Sequence, residues 1–174
     1  MSPIVRKAAT VAVIKDSSEG IEVLLMKRHH EDRFLPDYYV FPGGALDEQD
    51  FCFGFSGSDR TQELKRFAYS PENYYAHIIC GIRETFEESG LLLSIDENGS
   101  YPSISTIESV KKYSQYRKLV FEKKLSFKEM SRKEKLLPAV NNFFYLDRWV
   151  TPAIFPIRYD ARFFVVIAPA EQEV

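Results

Sequence analysis

Long apolar runs are missing from this 174-residue chain. None approaches the roughly 20 residues that a membrane-spanning helix needs. The opening residues, MSPIVRKAATVAVIKD, lack the apolar core of a signal peptide. The expectation is a chain with no membrane partner, located in the cytoplasm. Cysteine is scarce. Cys52 and Cys80 can form at most one disulfide, and no CxxC or Cys/His spacing offers a soft-metal site. A reducing compartment is the default reading. An excess of one charge sign is lacking too: 23 basic residues face 25 acidic ones, for a net charge of -2. No overall field draws in a nucleic acid polymer, and none is expected as a partner. A small phosphorylated ligand needs only a local basic cluster and is not excluded. Low complexity is absent as well. With 45% hydrophobic residues, fourteen Phe and ten Tyr, the composition suits one packed domain over 1–174.

The patterns that are present alternate strand and helix. Residues 8–14 and 21–26 are apolar runs around the turn chemistry of Asp16 to Gly20, and predict a hairpin. Residues 38–41 form a short strand that stops at Pro42-Gly43-Gly44. A short helix is expected near 61–67 inside an otherwise irregular stretch, 51–70. Ser70-Pro71-Glu72 is a helix start, with a cap, a proline in the first turn and an acid beside it. Gly90 is the matching stop. Residues 105–137 read as a helical segment, one face of which carries Ile107, Val110, Tyr113 or Ser114, Arg117, Val120 and Phe121. Residues 143–150 and 158–168 are strands. The fold class is mixed α/β, one sheet covered by helices.

The most informative stretch is Arg83-Glu84-Thr85-Phe86-Glu87-Glu88-Ser89-Gly90-Leu91. At about 100° per residue, Glu87 falls roughly 60° to one side of Glu84 and Glu88 roughly 40° to the other. Three carboxylates crowd one face, while Tyr75, Ile79, Ile82 and Phe86 fall near the opposite pole. Like charges at these spacings oppose helix formation by a few tenths of a kcal/mol per pair. A hard divalent cation offsets that cost, because Mg²⁺ takes oxygen ligands and is shared with substrate phosphates. The competing reading is a solvated acidic face.

These residues resemble the second half of the Nudix box, G-x5-E-x7-R-E-U-x-E-E-x-G-U, with Thr85 at the first aliphatic position. Pro42-Gly43-Gly44-Ala45-Leu46-Asp47-Glu48-Gln49-Asp50 is similar to its first half. Asp50 stands where the pattern has Glu, and residues 51–82 separate it from Arg83 where the pattern has a short spacer. That long insert is itself similar to one branch of the Nudix hydrolase superfamily, which includes a peroxisomal coenzyme A diphosphatase. Phe41 to Asp47, Ile79 to Leu93, Trp149-Val150-Thr151-Pro152 and residues 158–164 carry the likeness, over roughly 8–170.

The resemblance implies an α/β/α sandwich with a mixed sheet between helices. It implies metal-dependent hydrolysis of the diphosphate bond in a nucleoside diphosphate derivative, with coenzyme A or acyl-coenzyme A as the leading substrate. The alternative is a nucleotide-binding or regulatory module of the same fold with little turnover. Glu84, Glu87, Glu88 and the Gly43 carbonyl are the implied ligands for Mg²⁺ or Mn²⁺, and Arg83 the implied orienter of a glutamate. Arg28, Arg33, Arg158 and Arg162 are candidates for gripping substrate phosphates, surface ion pairs being the other reading of each. The general base is unassigned among Glu108, Glu122, Glu129, Glu171 and Glu173. His29 and His30 read as a solvated loop, His77 as structural, and both cysteines as core thiols. The chain stops soon after Ala168, so a missing last helix, a bare sheet face and a homodimer through it are expected.

Overall fold

Strand β1 (Val5–Ser17) is the axis of the molecule. The structure is a computed structural model that describes residues 4–31, 36–53, 61–67 and 70–172. Along β1 the side chains alternate: Ala9, Val11 and Val13 are buried, whereas Thr10, Ala12 and Ile14 are half-buried. β1 turns at Ser17 into the antiparallel β2 (Gly20–Val23), as the hairpin signal predicts. β3 (Met26–Lys27) and β4 (Tyr39–Val40) form a separate small ladder. β5 (Gly43–Ala45) pairs with the first half of β1, placing Thr10 opposite Gly43. The glycines expected to end a strand therefore form one themselves.

A 3₁₀ turn, Glu48–Phe51, follows β5, and α1 (Thr61–Phe67) lies within the insert. The long helix α2 (Pro71–Ser89) starts at the Ser70 cap and ends at Gly90, whose φ of 89° is left-handed. β6 (Ser94–Ile95) pairs with β7 (Leu137–Pro138). Between them lie α3 (Ile107–Phe121) and α4 (Phe127–Lys133). β8 (Phe144–Val150) and β9 (Arg158–Ile167) complete the main sheet, in the order β2-β1-β9-β8 with β5 also on β1. β9 runs parallel to β1 and antiparallel to β8. Mixed α/β architecture is what the sequence pattern implied.

α2 packs on β1, β5 and β9. It buries Tyr74, Ile78, Ile79, Ile82 and Phe86 almost completely. Tyr75, expected in that stripe, is only half-buried. Gly81 lets the helix approach the sheet, since a Cβ there would come within 2.6 Å of Val11 Cγ2.

Two expectations need correcting. Cys52 is exposed rather than a core thiol, at the end of the 3₁₀ turn beside the exposed Phe51; Cys80 is buried as expected. On α3, Tyr113 and Val120 are buried, but Ile107, Val110 and Phe121 are exposed, so only part of the stripe read there is packed. The 51–70 stretch sends a side chain into the core. Phe67 is fully buried, edge-on to Tyr74, His77 and Tyr145. Residues 54–60, 68 and 69 of that stretch lie outside the described residues.

Candidate active site

The two halves of the split motif meet in space. Asp50, on the 3₁₀ turn, is 1% exposed and accepts two hydrogen bonds from Arg83, from Nε and Nη2, both at 2.9 Å. Its Oδ2 also accepts from the Asp47 amide at 2.8 Å, closing a capping box. A planar guanidinium matched to a carboxylate is the strongest ion-pair geometry available. Arg83 extends further. Nη1 donates to Glu84 at 2.7 Å and Glu87 at 3.2 Å, and Nη2 to the Ala45 carbonyl. Burial acts against the Arg83 charge, yet Asp50, Cys80 and Glu84 outweigh it and hold its pKa well above the usual value. Asp50 therefore joins the turn after β5 to α2, a role the sequence left open.

Gly43 and Gly44 bring the sheet against the acidic face of α2. A Cβ on Gly43 would fall 2.3 Å from the Ala9 carbonyl oxygen, and one on Gly44 only 2.5 Å from the Glu84 carboxyl. The Gly43 amide donates to Glu88 Oε2 at 3.1 Å. Burial pushes the Glu88 carboxyl up to about 7; the Gly43 amide and Arg28 oppose that rise, and Glu84 and Glu87 add to it. Burial also lifts Glu87, against the pull of Arg83.

Glu84 and Glu88, with Gly43 and Gly44, form one wall of a cavity of about 860 Å³. Thr10, Ala161 and Phe163 floor it from the main sheet; Tyr39, Trp149 and Phe155 supply aromatic walls, and Arg28 a cation. The volume suits a nucleotide-sized ligand.

The sequence-derived site residues divide. Glu84, Glu88, Gly43 and Arg28 are brought to the cavity. Glu87 lies beside it, turned to Arg83. The three glutamates do not converge as they stand. Among the described residues no group of three His, Cys, Asp or Glu side chains is placed to hold an ion: Glu84 and Glu87 both turn to Arg83 Nη1, and Glu88 to the Gly43 amide. Arg162 is not a phosphate ligand: it is 1% exposed, bonded to Asp160 at 2.7 Å and set over the Phe67 ring. Arg158 does not line the cavity, and its Nε donates to the Thr151 carbonyl. Arg33 and Glu173 lie outside the described residues. Glu108, Glu122, Glu129 and Glu171 are exposed and away from the cavity, Glu129 serving the capping box of α4. His29 and His30 are exposed, as expected. Burial depresses the His77 pKa to about 4, consistent with a structural residue. Burial raises the Cys80 thiol well above its usual value and leaves it unreactive. The sequence reading missed the aromatic walls. Only Trp149, within Trp149-Val150-Thr151-Pro152, stood out.

The model of the NUDT19 Nudix domain matches residues 53–173. The chain belongs to this Nudix family. It is 28% identical to the acyl-coenzyme A diphosphatase NUDT19 of Xenopus laevis, over 92% of this chain and 50% of that protein. It is 25% identical to the putative nudix hydrolase 7 of Caenorhabditis elegans, over 97% of this chain and 46% of that one. The chain thus spans about half the length of the curated relatives it matches. A crystal structure of a Nudix hydrolase from Alicyclobacillus acidocaldarius is similar with a TM-score of 0.73 and 28% identity, over 99% of this chain and 74% of that one. The fold is therefore that of a Nudix hydrolase. No helix among the described residues is long and apolar enough to cross a membrane.

Proposed function

We propose that this Nudix domain hydrolyses the diphosphate bond of a nucleoside diphosphate derivative, with Mg²⁺ or Mn²⁺ held by Glu84, Glu87, Glu88 and the Gly43 carbonyl. The observation that carries the reading is the meeting of Glu84 and Glu88 with the Gly43-Gly44 strand at the wall of a nucleotide-sized cavity. The donor set fits a hard cation. Three carboxylates share one helix face, and burial pushes the Glu88 carboxyl up to about 7, with Glu84 and Glu87 adding to the rise. Such a cation supplies positive charge that neutralises a diphosphate and eases ionisation of an attacking water.

The chain's own residues do the placing. Gly43 fixes the Glu88 carboxylate through its amide. Arg83, locked by Asp50, orients Glu84 and Glu87. Arg28 stands at the cavity as a phosphate-binding cation, and Trp149 and Tyr39 offer faces on which a base stacks. Acyl-coenzyme A is the leading substrate, supported by the similarity to the Xenopus acyl-coenzyme A diphosphatase. The site calls for no nucleic acid polymer and no membrane, and the place of action is the cytoplasm. A homodimer remains the assembly to test, by mass in solution.

The test is a panel of coenzyme A, acyl-coenzyme A, NADH, ADP-ribose and dinucleoside polyphosphates with Mg²⁺ or Mn²⁺, with products identified. Cleavage at the diphosphate, abolished in Glu88→Gln by roughly 100-fold or more, is the expected result. Saturable binding of every member without product would replace hydrolysis by a binding module.

A further inference from the structure

Helix α3 carries a cation that turns toward the site from behind. Arg117 is half-buried on α3, and its guanidinium spans the C-terminal end of α2. Nε donates to the Glu87 carbonyl at 2.9 Å, and Nη2 donates to the Glu88 carbonyl. Carbonyls in the last turn of a helix have no partner within it. α2 places no basic residue of its own there, and its cap amide, Gly90 N–H, is spent on the Phe86 carbonyl. Arg117 therefore meets a need that α2 cannot meet itself. A cation at this pole is also favoured by the helix dipole.

The position matters because of what the two clamped residues carry. The Glu88 side chain is fastened to Gly43 on β5, while its main chain is fastened to Arg117 on α3. Glu87 has the same double tether, to Arg83 through its carboxylate and to Arg117 through its carbonyl. Among the described residues Arg117 bonds main-chain oxygens only, so it adds positive charge near an acidic cluster without occupying a carboxylate oxygen. Two adjacent carbonyls suit a forked guanidinium and not a single ammonium group.

We infer that Arg117 is a positioning residue: by clamping the main chain of Glu87 and Glu88 it sets the affinity of their carboxylates for a divalent cation. This rests on the metal role proposed above. It makes the helical segment between β6 and β7 a working part of the site.

The experiment uses the full chain without substrate. Mn²⁺ binding is measured by calorimetry well below the melting temperature, for the wild type, Arg117→Gln and Arg117→Lys, with thermal melts alongside. The wild type should bind Mn²⁺. Arg117→Gln should bind about tenfold more weakly, equivalent to about 1.4 kcal/mol. Arg117→Lys should regain part of the melting temperature, since charge at the helix end returns, but not the affinity, since the fork does not. Lysine also serves as the measurable variant if glutamine prevents folding. A purely structural cap would lower the melting temperature and leave the affinity of the folded protein within twofold of wild type in both variants. That result overturns the inference alone. A wild type that binds no Mn²⁺ overturns the metal reading and this one with it.

Discussion

Replacing Asp50 by Ala should strip the Arg83 guanidinium of its main partner. Both side chains are withdrawn from water: Arg83 is 6% exposed and Asp50 0%. Removing one member of a buried pair leaves the other charged and unsolvated, which costs about 3–5 kcal/mol. Glu84 and Glu87 still touch Nη1, and Nη2 keeps the Ala45 carbonyl and Cys80, but Nε faces the vacated carboxylate. The Asp47 amide loses its acceptor as well. With a urea dependence of about 2 kcal/mol per molar, the midpoint should fall by roughly 1.5–2.5 M, a large share of a typical domain's stability. Asp50→Glu restores the residue of the usual box but adds a methylene to a filled site, so it should still cost about 1–3 kcal/mol. The assay is equilibrium urea unfolding followed by far-UV circular dichroism. If Asp50→Ala shifts the midpoint by less than about 0.5 M, Glu84 and Glu87 suffice to balance Arg83, and the brace assigned to Asp50 is wrong.

Gly44→Ala should leave the fold standing but drive a methyl group into the Glu84 carboxyl, 2.5 Å away; turnover should drop by about 100-fold, and unchanged turnover would remove Glu84 from the site. Trp149, the only tryptophan, is 65% exposed on the cavity wall. Its fluorescence should quench saturably as ADP is added, and Trp149→Ala should raise KM by roughly tenfold through lost stacking; a silent titration with a working enzyme would place the base elsewhere. His77 should make the fold acid-sensitive. Burial first, with Arg162 and Lys7, depresses its folded pKa to about 4 from an ordinary 6.5, against the pull of Asn73 and Asp160. The unfolded chain then binds more protons between those values, so stability is complete above about pH 6.5 and falls by on the order of 3 kcal/mol as pH drops through the window. Urea midpoints at pH 7.5 and 4.5 should lie closer together in His77→Leu than in wild type; equal gaps would contradict the burial argument.

What was legible in the sequence follows from the range of the interactions involved. The ends of α2 were readable because Ser70, Pro71 and Gly90 act within one helical turn. β1 and β9 were readable as strands because their apolar residues are continuous. The face that each β9 residue takes was legible too, but only through parity. Arg162 shares its side with the buried Phe164 and Val166, which would have placed it inside, in its pair with Asp160, rather than at a phosphate. Local composition misled at Cys52: its aromatic neighbours suggested a core, but on that turn Asp50 is buried while Phe51 and Cys52 are exposed.

The contacts that assemble the site lie beyond any local signal. Asp50 meets Arg83 across the insert, and Arg117 reaches the main chain of Glu87 and Glu88 from a different helix. A helical wheel places three acids on one face but says nothing of which cations stand behind them. For Arg117 there was a trace, a lone cation on the face of α3 that also carries Tyr113 and Val120. A charge on a packed face needs a partner, since leaving it unpaired is costly. The helix with the most to offer it was the one whose last carbonyls lay open beside Gly90. Where an arginine sits among core-facing residues, a nearby helix end is therefore as good a partner to look for as a carboxylate, and here it places the clamp directly behind the acids that the split motif supplies.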